Sequence, residues 1–86
     1  MMAIASPDRG PTGQIIDFLL DAPTPEEVIA LRPSAEAQER LRYLMNGHRD
    51  ETLNDAERAE LESYLQVEYF VRRLKIRAQE KLARDT

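Results

Sequence analysis

Along this chain the apolar residues recur at the spacing of a helix, not of a strand. In "GQIIDFLLDA" Ile15 stands four residues before Leu19 and Ile16 four before Leu20, with Asp17 and Asp21 outside, which predicts a short helix. Pro23 ends it. "TPEEVIAL" then reads as a helix start, with Thr24 as N-cap, Pro25 at the first helical position and Glu27 placed to close a capping box. Arg32 and Pro33 stop this second helix, because the residue before a proline is pushed out of helical dihedrals.

Ser34 can cap a third helix, expected from about Ala35 to Asn46, in which Ala37, Leu41, Leu44 and Met45 make one apolar stripe. "NGHRDETLNDAE" is the expected turn: Gly47 ends one helix in a left-handed conformation, and Asn54 with Glu57 opens the next with another capping box. From about Asp55 to Arg84 no Gly or Pro interrupts the pattern, so the last helix is long, roughly 45 Å at 1.5 Å per residue. The fold class is therefore all-α: two short N-terminal helices, then a helical hairpin with a long C-terminal helix. Residues 1–11, small and broken by Pro7 and Gly10, are expected to form a flexible tail ahead of a single helical domain over 12–86.

On a helical wheel the last helix has two apolar groups. Tyr64, Val67, Phe70, Val71, Leu74, Ala78 and Leu82 make one face; Leu61, Leu65, Tyr69, Ile76 and Ala83, interrupted by Arg72, make another. The third helix spans only about 18 Å, so it cannot cover both. Either Ile15 to Leu20 and Val28 to Leu31 fold over the second group, giving an ordinary four-helix monomer, or one group faces inward and the other is an interface. We take the second as the expectation. The candidate partner-binding residues are Leu61, Leu65, Tyr69, Arg72, Arg73, Ile76 and Arg77. A phenol such as that of Tyr69 suits an interface because it can be half buried while its hydroxyl stays wet.

Length sharpens this picture. At 86 residues a single core is marginal, and help from a second chain is a reasonable expectation. The net charge of -4 conceals an uneven spread. Seven acids stand against Arg49 and Arg58 between Gly47 and Phe70, and six bases against Glu80 and Asp85 between Val71 and Thr86. Such a charge dipole suits two copies whose long helices pair antiparallel, so a structural homodimer is the alternative to a different protein partner.

Candidate chemistry is scarce. There is no Cys, which removes disulfides, thiolate nucleophiles and Cys-ligated zinc and fits a cytoplasmic setting. His48 is the single histidine and sits in or beside the turn, where a helix-end role near the negative end of a dipole accounts for it. No phosphate-binding glycine motif and no Ser/His/Asp set is present. The carboxylates of Asp55, Glu57 and Glu60 read as an acidic first turn complementing a helix N-terminus. The expectation is a non-enzyme with no cofactor and no metal. "RRLKIRAQEKLAR" invites a nucleic-acid reading, but a sequence pI near 5.0 and the lack of a separate recognition helix argue against it. No segment approaches the roughly 20 apolar residues of a membrane span, so no membrane is expected as a partner.

"IALRPSAEAQERLRYLM" followed by "ETLNDAERAELESYLQVEYFVRRLKIRAQEKL" resembles a group of small uncharacterised bacterial helical proteins. Their pattern is an R-P-S start, a polar turn followed by T-L-T-x-x-E, and an acidic helix passing into L-x-x-L-K-x-x-A. Members are often encoded beside HNH endonucleases or other toxin-like proteins. The resemblance spans about Ile29 to Leu82 and implies an antitoxin-like or accessory partner of a nuclease or toxin. "HRDETLND" departs from the commoner N-R-E-G-T-L-T turn, with Asn54 in place of the capping Thr.

Overall fold

A computed structural model describes residues 10–85 of the chain. The expected tail lies outside the described residues up to position 9. Pro11, assigned to that tail from sequence, is instead the first residue of a helix. The described residues form four α-helices and no strand: α1 (Pro11–Leu20), α2 (Pro25–Ala30), α3 (Ala35–Asp50) and α4 (Asp55–Asp85). None is long and apolar enough to cross a membrane.

Local chemistry sets most boundaries. α1 starts on Pro11 without a side-chain cap and ends where Ala22 takes a positive φ of 53° and donates its N–H to the Leu19 carbonyl at 3.0 Å. α2 opens on the expected capping box: Thr24 N–H donates to Glu27 Oε1 at 2.8 Å and Glu27 N–H to Thr24 Oγ1 at 3.1 Å, satisfying two amides that a helix N-terminus leaves unpaired. Ala37 N–H donates to Ser34 Oγ at 3.1 Å at the head of α3. α4 begins with the second capping box, Glu57 N–H to Asn54 Oδ1 at 2.7 Å and Asn54 N–H to Glu57 Oε1 at 3.0 Å.

The turn between α3 and α4 differs from expectation. α3 does not stop at Asn46 but continues to Asp50, and the left-handed residue is Glu51, φ 59°, not Gly47. Gly47 lies inside the helix and is buried. A Cβ there would stand 2.4 Å from Leu53 Cδ2, so the glycine serves a close approach. Leu53 folds back over α3 at that point. Thr52 N–H closes the end of the helix on the Gly47 carbonyl at 2.9 Å.

The other three helices all pack on α4. α3 runs back along its first half, where Leu44, Leu53 and Leu61 form the core cluster with Leu41 and Tyr64 packed against it. α2 is tied further along, where Lys75 Nζ donates to the Leu31 carbonyl at 2.6 Å. The molecule is consequently a slab, 49 × 39 × 18 Å, about two helix diameters thick.

Candidate interaction surface on the long helix

One stripe of α4 faces the other helices. Leu61 and Ala78 are buried, and Tyr64, Val67, Val71, Leu74, Lys75 and Leu82 are half-buried between and beyond them. The N-terminal helices thus share the stripe that α3 uses and do not wrap the opposite side, which overturns the ordinary four-helix alternative. The physical reason is length. Along a helix of 31 residues, about 46 Å, there is room for α3 and the shorter helices on one face, and that face is the more continuous one.

Leu61 is the correction among the candidate partner residues. It is 5% exposed and belongs to the core with Leu44 and Leu53, because the chain leaving α3 covers its side of the helix. The other six, Leu65, Tyr69, Arg72, Arg73, Ile76 and Arg77, are exposed. Leu65, Tyr69 and Ile76 keep 43%, 61% and 49% of their surface and, with Arg72, follow one another at steps of four, three and four on a single open stripe. Phe70, which sequence placed on the inner face, is 45% exposed on the far flank. The inner stripe as read from the wheel is wider than three slender helices can cover.

The charges around this stripe are arranged in two ways. Arg73 lies over the Tyr69 ring, its guanidinium 5.7 Å from the centroid. Arg77 and Glu80 approach to 3.7 Å, and Lys81 and Asp85 to 3.6 Å, as pairs within one helix face. Glu68 and Arg72 enter no ion pair or hydrogen bond with any described residue.

Charges nearer the hairpin are used internally. Arg40 forks onto Glu60, Nε to Oε2 and Nη2 to Oε1, both at 2.8 Å, and its guanidinium lies 5.0 Å over the Tyr43 ring. That hydrogen bonding holds the Glu60 carboxyl below its ordinary value and raises Arg40. Tyr43 donates its hydroxyl to Glu57 Oε2 at 2.9 Å. Glu57, accepting from the Asn54 backbone and from Tyr43, is lowered as well. These groups clamp α3 to α4.

A concavity lies on the inner side, an open groove of about 390 Å³ between α1, the start of α3 and the middle of α4. Ile15, Phe18, Leu41, Val67 and Val71 line it, and Arg32, Arg72 and Lys75 stand at its edge. Sequence reasoning did not find it, since it depends on the distance between α1 and α3. Lys75 reaches the end of α2, and desolvation together with the nearby Arg32 lowers its pKa.

Among the described residues no group of His, Asp or Glu could hold a metal ion, and His48 is exposed in the last turn of α3, on the basic end that complements the helix dipole. What the geometry offers is an apolar, cation-flanked helix face. The chain matches no protein-family model, no curated protein and no solved structure.

Proposed function

We propose that this chain is a non-enzymatic protein–protein interaction module that binds through the open face of α4. The observation carrying the proposal is the stripe of Leu65, Tyr69 and Ile76, left exposed on a helix whose other side carries α1, α2 and α3. Three large side chains at helical spacing, with Arg72, Arg73 and Arg77 beside them, have the composition of an interface centre: aromatic and aliphatic anchors with arginine close by. The resemblance over Ile29 to Leu82 supports an antitoxin-like or accessory role beside a nuclease or toxin, in a cytoplasmic setting.

Co-expression with the protein encoded by the neighbouring gene tests the role. Tagged wild-type chain is expected to recover it, and Tyr69→Asp with Ile76→Asp to reduce recovery at least tenfold while helical content is unchanged. Equal recovery by wild type and the double variant would remove this face from the function.

A further inference from the structure

We infer that the chain occupying the open stripe of α4 is a second copy of this one, lying antiparallel and related by a two-fold axis that crosses the helix between Phe70 and Val71. This rests on the reading of that stripe as an interaction face and names its occupant.

Three observations point to self-pairing. The first is the stripe's own register. Leu65 and Ile76 lie at equal distances on either side of the midpoint, so an antiparallel copy sets Leu65 of one chain against Ile76 of the other, twice. The two Tyr69 residues then stand about 4.5 Å apart along the helix axes, within reach of an offset aromatic pair. A two-fold interface must be complementary to itself, and this spacing satisfies that condition.

The second is charge. α4 from Asp55 to Phe70 carries five acids against Arg58, and from Val71 to Asp85 six bases against Glu80 and Asp85. A parallel neighbour would set like charges side by side, whereas an antiparallel one sets each acidic half on a basic half. Glu68, on the flank that borders the inner groove, and Arg72, within the stripe, form no ion pair or hydrogen bond with any described residue of their own chain and meet across the axis. In an antiparallel helix pair equivalent flanks face each other, so Glu68 of one copy lies beside Arg72 of the other and the contact occurs twice.

The third is layering. α4 carries the other three helices on one side and leaves Leu65, Tyr69 and Ile76 open on another, a helix face without a layer packed on it. Pairing through that side supplies the missing layer. Phe70, Arg73 and Arg77 remain towards the edge of the pair, accessible to a different protein.

The test is a charge-swap series on these exposed positions. By sedimentation equilibrium at tens of micromolar, wild-type chain is expected at twice its 9.9 kDa mass. Glu68→Arg places arginines opposite arginines and Arg72→Glu places glutamates opposite glutamates, so each variant alone is expected to dissociate at least tenfold more readily. Mixed in equal amounts, the two restore both contacts and are expected to form a heterodimer of wild-type affinity. Circular dichroism on each variant confirms that the helices are intact. A wild-type monomer at this concentration, or variants that self-associate as well as wild type, would overturn the inference, as would a mixture no tighter than its components. A wild-type monomer whose Tyr69→Asp, Ile76→Asp form loses the co-expressed partner removes only the second copy; one whose double variant keeps it removes the face as well.

Discussion

At position 47 only a hydrogen atom fits between α3 and the returning Leu53. Alanine would ordinarily favour a helix by about 1 kcal/mol over glycine. Here its Cβ would meet Leu53 Cδ2 at 2.4 Å, and Leu53 is itself 7% exposed with little room to retreat. Gly47→Ala is therefore expected to destabilise the fold by about 1–3 kcal/mol in urea denaturation despite its better propensity. Leu44, with no exposed surface, is the other sensitive point. Leu44→Ala is expected to cost about 2–5 kcal/mol with an unchanged m-value. From sequence Gly47 was legible as special, but for the wrong reason. A glycine near a helix end most often supplies a left-handed dihedral, and only the position of Leu53 shows that it is wanted here for its missing side chain.

Among the elements, caps were the most legible feature. Thr24 with Glu27, Ser34 with Ala37, and Asn54 with Glu57 all make the hydrogen bonds that residue type and spacing imply, because a cap involves only neighbours in the chain. Asn54→Ala should lower stability by about 1 kcal/mol through the start of α4. The same end of the hairpin is pH-sensitive. Glu57 and Glu60 have native pKa values below those of an unfolded chain, so the unfolded state binds more protons in the window between the two. Their contribution is complete above the ordinary carboxylate value of about 4.3 and is lost as pH falls through the lowered native values. Thermal unfolding followed from pH 6 downwards is expected to show Tm falling below about pH 4.3, and Glu60→Gln is expected to flatten that fall. An unchanged slope in Glu60→Gln would show that the Arg40 fork does not hold α3 in solution.

For the molecule as a whole, the other three helices pack on one side of α4, and Leu65, Tyr69 and Ile76 on another are exposed. Tyr69→Asp with Ile76→Asp is expected to leave the stability of a dilute, isolated chain within about 0.5 kcal/mol of wild type, because neither side chain supports the fold. At association-competent concentration the same variant should lack the stabilisation that pairing gives wild type by mass action, so its Tm, unlike that of wild type, does not depend on concentration. A large loss of stability in the dilute chain would mean that these residues pack within the monomer.

The sequence by itself determined the helix inventory, the caps, the long uninterrupted α4 and its two apolar groups, all of which follow from periodicity and interactions a few residues apart. It also separated Leu65, Tyr69 and Ile76 from the stripe of Tyr64, Val67 and Val71. Tertiary structure decided the rest: that the shorter helices lie on the same stripe, that Leu61 belongs to the core and Phe70 does not, that α3 runs one turn past Asn46, and that a groove opens between α1 and α3. These outcomes depend on how far short helices reach along a long one and where the chain returns between α3 and α4. Distances between elements remote in sequence leave no trace in the local pattern of residues.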